Sequence, residues 1–233
     1  MHSVPSLPAA ILFFAAASFG LSATAPSDPA LLKARNQQNL QAIDAIIAHD
    51  KQSANTPDGQ YTLALAYSYA AEVAMELHDK KKAESYAVTG LDIAKKAVDA
   101  NGSNAEYHRL LGAMCGQVIP SNPLLGALKY GACARDEIEK AISLDPKLAL
   151  AYVSRGVGNY YLPEQMGGGV QLALKDIDKA IALDPKLADA WLWKGVVLRK
   201  ANRNAEARQA FTQALKLAPD RAWAKQQLDK TPA

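Results

Sequence analysis

Residues Ala141-Ile142-Ser143-Leu144-Asp145-Pro146-Lys147-Leu148-Ala149 return as Ala180-Ile181-Ala182-Leu183-Asp184-Pro185-Lys186-Leu187-Ala188. A looser copy, Ala214-Leu215-Lys216-Leu217-Ala218-Pro219, follows. Pro185 and Pro219 are 34 residues apart; Pro146 and Pro185 are 39 apart, one period plus five inserted residues. Self-similarity at such a period marks a solenoid, whose units bury their apolar faces against one another. Around the copies, Ala, Leu, Lys, Glu and Gln dominate, all strong helix formers, and sustained period-2 alternation is missing. Each copy carries a proline at its sixth position, and a proline cannot continue a helix. The expected fold is all-α, a stack of antiparallel helix pairs.

Residues 188–219 resemble the tetratricopeptide repeat (TPR). With Ala188 as position 1, Trp191 falls at 4, Gly195 at 8, Ala207 at 20, Phe211 at 24, Ala214 at 27 and Pro219 at 32. Lys194 and Leu198 depart from the pattern at 7 and 11. Small residues at 8, 20 and 27 let two helices approach closely, and large ones at 4 and 24 fill the space between pairs. The unit 149–187 repeats the scheme with Tyr152, Gly156, Ala173, Ile177, Ala180 and Pro185, and inserts Leu162 to Gly169 between its helices. The unit 105–148 has Leu111, Gly112, Ala134, Ile138, Ala141 and Pro146, with ten extra residues expected as an irregular elbow around Val118 to Tyr130. Residues 26–104 are expected to hold one helix over 28–50 and a longer, degenerate pair over 60–78 and 80–100. A capping helix is expected after Pro219. The resemblance implies a right-handed α-solenoid, a TPR superhelix. The Leu-Pro then Gly-Gly-Gly insertion is similar to one in exported bacterial TPR proteins, and to the helical periplasmic component associated with TRAP transporters.

Residues 1–25 are expected to be a signal peptide. Pro8 to Ala25 is uncharged and apolar, and Ala23-Thr24-Ala25 fits a small-x-small cleavage site. The alternative is an uncleaved membrane anchor at the short end of spanning length. A periplasmic or secreted location follows from this reading, with membrane contact only if the segment is kept.

The composition narrows the chemistry. The 233 residues are 49% hydrophobic, which excludes a wholly disordered chain, and 26 Lys plus Arg against 23 Asp plus Glu argue against a nucleic-acid partner. No His-Glu-x-x-His, Cys-x-x-Cys, Gly-x-Ser-x-Gly or Walker pattern occurs, so no catalytic, metal or cofactor residue is expected. His108 stands at the aromatic position 4 of its unit and is expected to be packed. The Gly167-Gly168-Gly169 triplet is expected to be a turn, not an anion cradle, since it has no Lys, Ser or Thr. Cys115 and Cys133 lie on the two helices of one unit and form either a disulfide or two buried thiols.

What remains is the concave face, lined in such repeats by positions 2, 5, 9 and 12 of the first helices, with 6 and 13 adjacent. Here these give Arg109 in the first unit and Val153, Val157 and Tyr160 in the second. The third contributes Asp189, Leu192, Trp193, Val196, Arg199 and Lys200. The expected function is a non-catalytic module that binds a protein or peptide segment in this groove. The alternative is a small-molecule carrier or transporter accessory with its pocket near the elbow and the glycine loop. Packing of these side chains against the N-terminal helices would leave neither groove.

Overall fold

The repeated Leu-Asp-Pro-Lys steps are turns built by their own side chains. Asp145 Oδ1 accepts from the Lys147 amide and Asp184 Oδ1 from the Lys186 amide, each at 2.9 Å. One step on, position 4 fastens each unit to the turn before it. Tyr152 donates its hydroxyl to the Pro146 carbonyl (3.1 Å) and Trp191 its indole N–H to the Pro185 carbonyl (3.0 Å). His108 Nε2 meets the Gly102 carbonyl at 2.9 Å in the same place, while Nδ1 faces Glu137. The histidine is thus buried as a structural peg.

The computed structural model describes residues 28–119 and 123–233. The described elements are α1 (Pro29–Asn36), α2 (Leu40–Asp50), α3 (Pro57–Glu76), α4 (Lys80–Ala100), α5 (Ala105–Val118), α6 (Pro123–Leu144) and α7 (Ala149–Tyr161). There follow a 3-10 turn (Glu164–Met166), α8 (Val170–Leu183), α9 (Ala188–Lys200), α10 (Asn204–Leu217) and α11 (Ala222–Asp229). No strand occurs among the described residues, and no described helix is long and apolar enough to cross a membrane. The chain is an α-solenoid of TPR type. α3/α4, α5/α6, α7/α8 and α9/α10 form the pairs, and α3, α5, α7 and α9 follow one another along the inner face. Within each of the last three pairs a glycine at position 8 lies under the large side chain at 24. A Cβ on Gly112 would come within 2.7 Å of Ile138, one on Gly156 within 2.9 Å of Ile177, and one on Gly195 within 2.5 Å of Phe211.

Two expectations about the local structure are corrected. Residues 28–50 form two helices, not one. Gln38 adopts φ +54°, and Asn39 caps α2 by accepting from the Ala42 amide, so the chain turns between them. The irregular elbow is largely helical. α6 begins at Pro123, a residue suited to a first helical turn, and Leu125, Ala127, Leu128 and Lys129 are good helix formers. Its first turn lies against the end of α5, where a Cβ on Gly126 would come within 2.8 Å of Ile119 Cα. Pro120 lies outside the described residues, as does the segment 1–25.

The glycine triplet is a turn. Gly167 (φ +85°) and Gly169 (φ +103°) occupy backbone regions that other residues avoid. The Gly167, Gly168 and Gly169 amides donate to the carbonyls of Glu164, Pro163 and Asn159, so none faces outward to meet an anion.

A disulfide joins Cys115 on α5 to Cys133 on α6, with Cα atoms 6.0 Å apart. Closing a loop of this length restrains the unfolded chain by about 3 kcal/mol. Cys133→Ser should lower stability by about that amount, read from the urea midpoint. Thiol labelling of the denatured, unreduced chain should modify neither cysteine, and labelling of both would disprove the bridge.

Candidate functional site

The inner face is occupied where α3, α5 and α9 meet. Glu72 and Glu76 are one turn apart on α3, a helix whose only other charge is Asp58. Arg35, at the end of α1, reaches Glu72 through Nε (2.9 Å) and Nη2 (2.7 Å). Its Nη1 and Nη2 meet Asp189 of α9 at 2.9 and 3.0 Å. The same guanidinium lies 4.8 Å from the Tyr69 ring centre. Arg221, just before α11, sits 2.8 Å from Glu72 and 3.0 Å from Glu76, and a second contact to Glu76 is shorter still. Asn36 Nδ2 donates to Asp220 (3.0 Å), and Gln38 and Gln226 pair at 2.9 Å. α1 and α3 are thereby tied to α9 and α11, and the two ends of the superhelix meet.

A second buried group lies alongside. Arg109 holds Glu106 at 2.6–2.8 Å, and Glu106 also accepts from the Tyr61 hydroxyl at 2.9 Å. At Arg109 desolvation opposes the cation and Glu106 outweighs it, so the pKa rises. At Glu76 burial dominates and raises the carboxyl above its usual 4.5, against Arg221. At Asp189 burial works in the same sense but Arg35 prevails, and the carboxyl lies below its usual 3.8. The stability Asp189 contributes is complete above pH 3.8 and is lost as pH falls through the lowered folded value. Acid should therefore release α1 at this contact only below pH 3.8, read as lost amide protection in α1; Asp189→Asn should remove that step.

The residues expected to line a groove separate into three groups. Arg109 and Asp189 belong to the buried ion pairs, and Arg199 donates to the Gln227 carbonyl at 3.2 Å and so holds α11. Val153, Leu192 and Val196 are buried in the contacts between pairs, with Val157 half-buried beside Tyr152 and Ile177. Tyr160, Trp193 and Lys200 come together at an accessible place, with Tyr161 and Trp223. The rings of Tyr160, Tyr161, Trp193 and Trp223 form an edge-to-face run with centroids 4.9–6.4 Å apart. Lys200 Nζ lies 4.3 Å from the Tyr160 ring centre and donates to the Tyr160 carbonyl at 2.6 Å. Tyr161 on this ledge is 67% exposed, and Met166 of the following 3-10 turn is 66% exposed. A pocket of about 230 Å3 between Lys200 and Leu162 to Val170 adjoins it. That is below the roughly 300–1,000 Å3 usual for small-molecule sites. Among the described residues no group of His, Cys, Asp and Glu is arranged to hold a metal.

Position rules written for an open superhelix could not reveal Arg35, Glu72, Glu76 or Arg221. The available signal was Glu72 and Glu76 at i, i+4 on an otherwise apolar helix, which calls for buried cations.

Two family models match. One, described as regulator of microtubule dynamics protein 1-3, covers residues 28–166, and the other, tetratricopeptide repeat, covers 188–221. Among curated proteins, regulator of microtubule dynamics protein 3 of Bos taurus is 30% identical over 99 residues, 42% of this chain and 20% of the relative. The Xenopus laevis protein of that name is 32% identical over 96 residues, 41% and 20%. The chain thus spans about a fifth of the length of these relatives. A solved thermophilic TPR protein of Thermus thermophilus superposes with a TM-score of 0.60 at 18% identity, covering 86% of this chain and 97% of that one. The haemophore HusA of Porphyromonas gingivalis gives 0.52 at 18%, with 82% and 94% covered; both share the fold. These curated relatives are animal proteins, and animal cells have no periplasm. The expectation of a periplasmic or secreted location is overturned by that kinship.

Proposed function

From the premise that this chain belongs to the family of regulators of microtubule dynamics proteins 1-3, we propose that it is a non-catalytic protein-interaction module. A segment of a partner protein lies along its inner face. The observation that carries this reading is the aromatic ledge: four rings and Lys200 meet beside an exposed, irregular loop. Exposed aromatics with a cation form the kind of cluster that dominates binding energy at protein interfaces. Solenoids leave such surfaces free because each unit buries itself only against its neighbours. The name of the family supplies the setting in which to seek the partner, among proteins that govern microtubules.

A library of short peptides screened against the full chain tests this. Peptides selected by the wild type should protect amides of α7, α9 and α11 from hydrogen exchange. Tyr161→Ala with Lys200→Glu should weaken them at least about tenfold, the scale of a hot-spot residue. Equal binding to both proteins would remove the ledge from the site.

A further inference from the structure

α1 has the character of a bound peptide. It is eight residues long, too short to persist as a helix without tertiary contacts. Its buried apolar side chains are only Leu31 and Ala34, while Leu32 and Lys33 face outward. Leu31 and Arg35 are one turn apart on the same face. Arg35 presents both edges of its guanidinium to carboxylates on two helices, Glu72 of α3 and Asp189 of α9. A planar fork with five donors suits that double acceptor; a lysine could not span it in the same way. Behind α1 the chain turns at Gln38, whose left-handed backbone separates this helix from α2. The helix is therefore held by one arginine, one leucine and a few amide contacts, on a short tether.

We propose that α1 is a resident stand-in for the partner. The site between Glu72 and Asp189 receives a helical protein segment bearing a leucine and, one turn later, an arginine, and that segment binds by displacing α1. Charge complementarity commits the choice: the acceptors are two carboxylates, and Arg35 bonds both of them directly, whereas Arg221 makes its ion-pair contacts to Glu72 and Glu76 and acts on Asp189 only at longer range. The inference rests on the inner-face reading given above and adds the chemistry of the occupant and its gate.

The test uses the full chain, wild type and Arg35→Glu, with a labelled peptide of residues 28–39 as probe. A second peptide carries Arg35→Glu. In the variant protein, Glu72 and Asp189 repel α1, and its amides should exchange at least about tenfold faster than in the wild type. The native peptide should bind that variant at least about tenfold more tightly than it binds wild type, because no tethered copy competes. The Arg35→Glu peptide should bind neither. Arg35→Gln, which removes the charge without repulsion, should give the same order with smaller changes, and serves if Arg35→Glu does not melt cooperatively. Unchanged α1 exchange, equal binding of the two peptides, or no binding to an opened site each overturn the stand-in. None of these outcomes alters the ledge result from Tyr161→Ala with Lys200→Glu, so the two readings fail separately.

Discussion

Phe211→Ala is expected to lower the unfolding free energy by about 4 kcal/mol, the scale for removing a buried phenylalanine. Phe211 is 0% exposed. The cost depends on how far the surroundings can collapse into the space. The ring lies over Gly195, with the Arg199 guanidinium 5.9 Å from its centre, in a buried cluster that includes Leu192, Val197 and Leu198. Urea titration should show the midpoint falling with little change in slope. The contact with Gly195 gives a sharper check. Gly195→Ala places a methyl group 2.5–2.8 Å from the ring and should cost about 2 kcal/mol in the wild type by overpacking. In the Phe211→Ala background the same methyl group meets empty space, so the cost should nearly vanish. Additive losses would mean that the two residues do not share this contact.

Arg221→Ala should cost a similar amount, about 4 kcal/mol, by a different route. Arg221 is 2% exposed and faces Glu72 and Glu76. Truncation leaves Glu72 with Arg35, but leaves Glu76 in a buried place with only Gln38 as a donor. The melting temperature should fall by roughly 10 °C for a chain of this size. The loss should depend on pH, and its sign follows from Glu76. Burial already raises that carboxyl above 4.5, and removing the cation raises it further. A carboxyl with a raised folded value is penalised above that value and relieved as pH falls towards 4.5. The gap between wild type and Arg221→Ala should therefore narrow as pH falls from neutrality towards 4.5. A constant gap would place the cost in lost packing of the arginine stem instead.

The repeat units were legible because their determinants are local. Trp191, Gly195, Phe211 and Pro219 sit at fixed spacings, and the packing of Gly195 under Phe211 follows from that spacing alone. The paired helices expected over 60–78 and 80–100 stand at Pro57–Glu76 and Lys80–Ala100, since Ala-rich periodicity needs no distant partner. The break at Gln38 was missed because a left-handed glutamine has no compositional signal of its own. The extra residues after Val118 were assigned to an irregular segment on the strength of Pro120, Pro123 and Gly126. A proline in a first helical turn and a glycine against a neighbouring backbone both suit a helix. The inner face was the least legible part. Arg109 and Asp189 stand where groove-lining residues stand in an open superhelix, and the sequence says nothing of Arg35 lying 154 residues from Asp189. Only Tyr160, Trp193 and Lys200, whose neighbours lie within adjacent units, were placed together by position rules.

The meeting of the two ends alters how this molecule should come apart. Stacked repeats ordinarily behave as a one-dimensional array, each unit coupled only to the next, so that terminal units fray and folding spreads from any point. Here Arg221 reaches Glu76 across 145 residues of sequence and Arg35 reaches Asp189 across 154. Neither terminal unit can open without breaking buried ion pairs on the other. The array becomes a ring in its energetics, with unfolding that is more nearly all-or-none. Its folding is slowed by one late closure step of high sequence separation, unlike an open stack of the same helices.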